Sequence, residues 1–173
     1  MILTRLENVT AYRMHTPKWA VSPTSGAGAA KYGGRANRPG VAALYLALDV
    51  ESAVREYQQV STLLPPGTLV SYQVTVEKVA DFRSGFDVSN WDPIWEDFHC
   101  DWRELWFNQH IEPPSWVIGD EVIAAGAKGI LFQSRFPGGG TNLVVYPEKF
   151  VATDSLAVFD PGQALPKNQD SWA

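Results

Sequence analysis

The chain has a single cysteine, Cys100, in 173 residues, which excludes an intramolecular disulfide framework and a zinc site built on cysteine thiolates. Its three histidines, His15, His99 and His110, are too scattered to form a motif such as H-E-x-x-H, so no metal site is expected. Positive charge is scarce as well. Lysine and arginine number 14 against 19 acidic residues, a net charge of −5, whereas general affinity for nucleic acid needs a basic surface that displaces counterions. No direct nucleic-acid binding is expected, although a local basic pocket is compatible with this balance. No stretch approaches the ~18 apolar residues of a membrane span. The N-terminal MILTRLENVTAYR also lacks a basic region followed by an apolar one. Neither export nor a membrane location is indicated, and the expected compartment is the cytoplasm.

What the chain does have is core material. Hydrophobic residues make up 45% of it, with seven Trp and eight Phe, and only 19% is charged, which is the composition of a soluble globular protein. The length suits one domain that buries its own core without disulfides. We place that domain at residues 1–160, followed by a polar, proline-containing tail at 161–173 that is expected to be poorly packed.

The stretch from Gly33 to Tyr57 concentrates the informative residues. In GGRANRPG, glycines and Pro39 predict a tight exposed loop carrying Arg35, Asn37 and Arg38. In VAALYLAL, Leu44, Leu46 and Leu48 alternate with Tyr45 and Ala47, the period of a strand with two different faces. Asp49 reads as the N-cap of a helix, with Glu51 in a first turn where the dipole favours an anion. Val50, Ala53, Val54 and Tyr57 recur at helical spacing and are expected to face the core. Glu51 and Arg55 form an ordinary solvent pair on the other side. Glu56 falls on the flank of the apolar stripe, beside Ala53 and Val60. Taken alone it reads as a surface charge, because charged groups are mostly exposed.

Around this stretch, TAYRM predicts a short strand carrying Arg13, and the Pro, Ser and Gly-rich segment from Thr16 to Gly34 a long loop or lid. TLVSYQVTVEKVADF, with Val70, Tyr72, Val74 and Val76 alternating with polar residues, predicts a half-buried strand. In the acidic segment around Trp91, Trp95, Trp102 and Trp106, the three- and four-residue spacing of Trp102, Leu105 and Trp106 predicts a helix. Asp92, Glu96, Asp97, Asp101 and Glu104 read as its solvated side, with docking of a basic partner as the alternative. A helix from Trp116 to Ala125 ends at Gly126. Two strands, ILFQ and LVVY, are joined by a glycine turn, and a last strand lies in FVATDSLAVF.

Neither GGRANRPG nor PGGGT matches the phosphate-binding Gly-Lys-Ser/Thr pattern at a helix opening, and PGGGT reads as a hairpin turn. Arg35 on its glycine loop is well suited to hold a pyrophosphate bidentately, with Arg13 and Arg135 as supporting charges. Ser134 lacks both a neighbouring histidine and a G-x-S-x-G context, so a hydrogen-bonding role fits it better than that of a triad nucleophile.

In combination these words resemble the RES-domain family, bacterial toxins of toxin–antitoxin pairs. The resemblance runs through TAYRM at Arg13, GGRANRPG at Arg35 and Asn37, ALYLA at Tyr45, AVREY at Glu56, and GILFQSR with GGTNLVVY at Ser134 and Asn142. It departs from the family at Ala36, where tryptophan is usual, and at Gln133, where proline is common. The resemblance implies an α/β (α+β) single domain similar to ADP-ribosyltransferase toxins, with small mixed or antiparallel sheets and flanking helices. It implies NAD⁺ as the substrate rather than a cofactor, and cleavage of the nicotinamide–ribose bond with water or phosphate as acceptor. Catalytic roles fall to Arg35, Glu56, Tyr45 and Ser134, and NAD⁺ contacts to Arg13, Arg35, Asn37, Tyr45, Ser134 and Asn142. The implied partner is a cognate antitoxin of the Xre helix-turn-helix type that blocks the active site, with a homodimer as one arrangement within the complex. Protein ADP-ribosylation is the same-chemistry alternative, and a nucleotide-binding module without turnover the different-class one.

Overall fold

The computed structural model describes residues 1–59 and 61–170, and two long strands carry its architecture. Strand β1 (Leu3–His15) and strand β3 (Thr68–Phe82) run antiparallel over nearly their whole length, from Leu3 opposite Ala80 to His15 opposite Thr68. The alternation predicted for β3 sends Val70, Tyr72, Val74 and Val76 to one buried face. β1 is longer than the short strand expected around TAYRM, because β3 offers it pairing partners along its full length. Strand β2 (Leu44–Ala47), strand β4 (Gly129–Gln133) and strand β5 (Thr141–Val145) form an antiparallel group in the order β2-β5-β4. This group joins the long ribbon at both ends. Ala47 pairs with Tyr12 of β1, and Ile130 to Phe132 run parallel to Ala80 to Phe82 of β3. Strand β6 (Ser155–Val158) pairs antiparallel with the middle of β3.

This closed pairing splits the apolar residues into two cores. Leu44, Leu46, Leu131, Leu143 and Val145 point inward against Val70, Tyr72, Val74 and Val76. One residue along each strand, Ile130, Phe132 and Val144 point the other way, into a second cluster covered by helix α3 (Pro114–Ala124) and the aromatics Trp91, Trp95 and Phe98. The α+β class expected from the sequence is the one observed. Among the described residues no helix is long and apolar enough to cross a membrane.

Local differences have physical reasons. The segment from Thr16 to Gly34 holds a 3₁₀ turn (Pro17–Trp19) and helix α1 (Ala27–Tyr32) in place of an unbroken loop, since AGAAKY is locally a good helix former. The Trp-rich segment is not one continuous amphipathic α-helix, and the helix expected at Trp102, Leu105 and Trp106 is present as a short helical stretch over residues 102–108. The segment makes a 3₁₀ turn (Pro93–Asp97), opened by Pro93 with the Asp92 side chain accepting from the Ile94 amide, and a wide π-helical turn (Glu104–Asn108), so the buried Trp91, Trp95, Phe98 and Trp102 come inward from separate turns. Its five acids remain exposed. In helix α2 (Val50–Gln58), Asp49 caps as predicted, with Oδ1 accepting from the Ser52 amide at 2.7 Å. Val50, expected in the core, is 42% exposed, and the buried positions are Ser52 and Ala53. Val60 lies outside the described residues. In the tail, Leu165 packs against the inner cluster and the Gln169 amide donates to the Lys18 carbonyl at 3.1 Å, so part of it is docked. Residues 171–173 lie outside the described part.

Candidate active site

The loop from Gly33 to Val41 is fixed from both sides. Trp116 Nε1 on α3 donates to the Gly34 carbonyl at 2.6 Å, and the fully buried Tyr146 hydroxyl donates to the Ala36 carbonyl at 2.7 Å. From β2, the Tyr45 hydroxyl accepts from the Ala36 amide at 2.9 Å and donates to Asn37 Oδ1 at 2.7 Å. Asn37 spends its side-chain amide on the Ala29 and Val41 carbonyls, at 3.0 and 2.9 Å. Arg38 pairs with Asp120 at 2.5 Å and Glu112 at 2.9 Å. Glycine is required at position 34, since an added Cβ would lie 2.6 Å from Asn37 Oδ1. Ala36 itself is fully buried in the outer core, with both backbone groups bonded. Position 36 is therefore a core position, and the loop is held by polar contacts.

This anchoring leaves Arg35 half-buried, with Nη1 donating to the carbonyls of Phe98 at 3.2 Å and Cys100 at 2.9 Å. Burial lowers the pKa of its guanidinium, and the neighbouring Arg135 charge adds to the effect, while Tyr45 and Glu56 oppose it. Burial also raises the Tyr45 hydroxyl, against the charges of Arg35, Arg13 and Arg103. Arg13 is lowered by burial, with Tyr72 and Tyr45 acting in the other direction.

Glu56 is gripped through one oxygen. Its Oε1 accepts from Ser134 Oγ at 2.8 Å and from Asn142 Nδ2 at 2.6 Å, so α2, the end of β4 and β5 meet at one carboxylate. Helix α2 is docked on the β4–β5 turn, with the Gly140 amide donating to Ser52 Oγ at 2.6 Å in its first turn and Arg55 of its last turn reaching the Pro137 carbonyl. No donor among the described residues reaches Oε2, which remains available to a ligand. A half-buried carboxylate with one oxygen fixed can accept from a hydroxyl, stabilise adjacent positive charge or take a proton from an acceptor.

Seven sequence-predicted residues thus fall into two bonded groups and one neighbour. Glu56, Ser134 and Asn142 touch directly, as do Tyr45 and Asn37 in the loop that carries Arg35. Arg13 makes no hydrogen bond to either group among the described residues, and its charge is felt at Tyr45. The run Phe98-His99-Cys100, whose carbonyls hold Arg35 and Arg135, was not legible beforehand because backbone acceptors leave no mark on composition.

The His99 ring packs against Phe82, Phe98 and Phe132 behind this site, and the His99 carbonyl accepts from Arg135. Burial, with the charges of Arg35 and Arg135, lowers its pKa to about 4, and His15 is lowered to about 4 by burial with Arg13. Both side chains take up protons more readily once unfolded, at about pH 6.5. Between that value and about 4 the unfolded state binds more protons, so stability falls as pH drops through this window. Urea midpoints measured from pH 7 to pH 4.5 should show the decline, and His99→Gln should make it shallower.

Residues 10–167 match the family model of the RES domain. The chain belongs to the RES-domain family. All the motif words from Arg13 to Asn142 lie inside the matched span of this RES domain. No curated protein sequence matches it. Among solved structures, the RES domain is similar to a chain of the M. tuberculosis MbcT–MbcA toxin–antitoxin complex, with a TM-score of 0.60 and 20% identity over 91% of this chain and 85% of that one. At that identity the likeness is one of fold.

Proposed function

We propose that this RES-domain protein is the toxin of a toxin–antitoxin pair and degrades NAD⁺ by cleaving its nicotinamide–ribose bond, with water or phosphate as acceptor. The observation that carries the reading is the Glu56 carboxylate, held through Oε1 by Ser134 and Asn142 with Oε2 free, beside an Arg35 that has no carboxylate partner among the described residues. Nicotinamide leaves with the bonding electron pair as a neutral base, so no general acid is needed. The cost lies in positive charge developing at the anomeric carbon, as in glycoside cleavage. Glu56 stabilises that charge and receives the acceptor's proton as the new C–O bond forms. Arg35 anchors the pyrophosphate, aligning the bond through remote binding energy. Tyr45 and Asn37 act by holding the Arg35 loop, and Ser134 and Asn142 by orienting Glu56.

A cognate antitoxin, of the Xre helix-turn-helix type, would neutralise the protein by covering this site; the similar fold in a toxin–antitoxin complex supports that pairing. Incubation of the purified protein with NAD⁺, with and without phosphate, tests the reading. Free nicotinamide is expected, together with ADP-ribose or its phosphorylated form according to the acceptor. Label appearing on protein would instead identify a transferase, and no nicotinamide under any condition would refute the enzymatic reading.

A further inference from the structure

The protein's eight arginines divide cleanly. Arg5, Arg38, Arg55 and Arg83 each pair with carboxylates. Among the described residues Arg13, Arg35, Arg103 and Arg135 pair with none, in a chain that carries more acids than bases. Two of these four are drawn together by one tripeptide. Arg35 Nη1 donates to the Phe98 and Cys100 carbonyls at 3.2 and 2.9 Å, and Arg135 Nη1 donates to the His99 carbonyl at 2.6 Å. Three successive carbonyls thus hold two guanidiniums side by side, each through a single nitrogen.

A guanidinium carries five N–H donors in a planar fork. Most of those on Arg35 and Arg135 have no partner among the described residues. Like charges held close together oppose folding unless an anion joins them, and each of these charges depresses the neighbouring His99. The pair also stands next to Glu56, because Arg135 follows Ser134, whose hydroxyl is 2.8 Å from the carboxylate.

We infer that Arg35 and Arg135, collared by the carbonyls of Phe98, His99 and Cys100, form a two-guanidinium clamp for one phosphoryl group beside Glu56. This rests on the reading of Glu56 as the catalytic centre and adds Arg135 as a ligand-binding residue. The fork geometry selects a tetrahedral oxyanion that two planar donors can grip bidentately, which a lysine at position 135 reproduces only in charge. The phosphoryl group has two chemical sources: free phosphate, as the acceptor, or the pyrophosphate of the dinucleotide.

Calorimetric titration of the full-length protein with inorganic phosphate, and separately with inorganic pyrophosphate, tests the clamp without turnover. Arg135→Gln should weaken at least one of these anions about tenfold or more, Arg135→Lys should lose about threefold, and Arg5→Gln, on the far part of β1, should change nothing. Melting midpoints check folding, and the lysine variant remains informative if the glutamine variant does not fold. Weakened phosphate binding, with a raised KM for phosphate at unchanged KM for NAD⁺, identifies the acceptor. Weakened pyrophosphate binding with a raised KM for NAD⁺ identifies the dinucleotide. Wild-type affinity for both anions in the Arg135 variants, or no binding of either by the wild type, would overturn the clamp even if NAD⁺ were cleaved. Anion binding that depends on Arg135 without NAD⁺ cleavage would leave the clamp standing and remove only the proposed activity.

Discussion

Glu56→Gln should abolish nicotinamide release, with a fall of about 10²–10⁴-fold in kcat, while the thermal midpoint moves by no more than a few degrees. The substitution keeps shape and hydrogen-bonding reach: a glutamine Oε1 still accepts from Ser134 and Asn142, the two donors that now meet the carboxylate at 2.8 and 2.6 Å. What disappears is the negative charge on the free oxygen, the part that would face the developing cation in the proposed reaction. Binding should survive, because Arg35 and its carbonyl supports are untouched. Single-turnover measurements with NAD⁺, paired with binding of ADP-ribose, separate the two effects. Turnover within a factor of two of wild type would remove Glu56 from the chemistry.

Gly119→Ala should lower stability by about 1–3 kcal/mol, the usual cost of overpacking a filled core, and should reduce NAD⁺ cleavage in parallel. Gly119 lies on α3, where an added Cβ would press on the Ala36 carbonyl oxygen and come within 2.8 Å of its carbonyl carbon. The obstacle is backbone and cannot rotate aside. The same carbonyl accepts from Tyr146, and the next residue back is Arg35, so pushing it outward disturbs the loop that aims the guanidinium. Denaturant midpoints and KM for NAD⁺ should therefore shift together. A destabilised variant with an unchanged KM would show that α3 supports the fold without setting the loop.

The elements that carry the candidate site residues were legible before any coordinates, for reasons that are local. Alternation in VAALYLAL puts Tyr45 on the face opposite Leu44 and Leu46, and that face is where its hydroxyl meets Asn37. Asp49 announced the start of α2, and the cap is there. Glu56 marks the limit of such reasoning. By helical phase it was a flanking charge, and only the family words around it lifted it above that. Val50 shows the same limit from the other direction, since a position with helical spacing is exposed because the cap and Ser52 occupy the inside of the first turn.

The sequence by itself determined the alternation of β2 and β3, the Asp49 cap, the glycine turn between β4 and β5 and the membership of the RES-domain family, because these depend on side-chain period, φ preference and words of adjacent residues. Tertiary structure alone decided which oxygen of Glu56 is held and that the Tyr45 hydroxyl is spent on the Arg35 loop. It also decided that carbonyls from a tryptophan-rich segment, more than sixty residues from Arg35 and 36 from Arg135, bring the two together. The reason is physical: a hydrogen bond to a backbone carbonyl can be accepted by any residue type, so its place is set by how the chain closes on itself and leaves no trace in the identity of the residue that provides it.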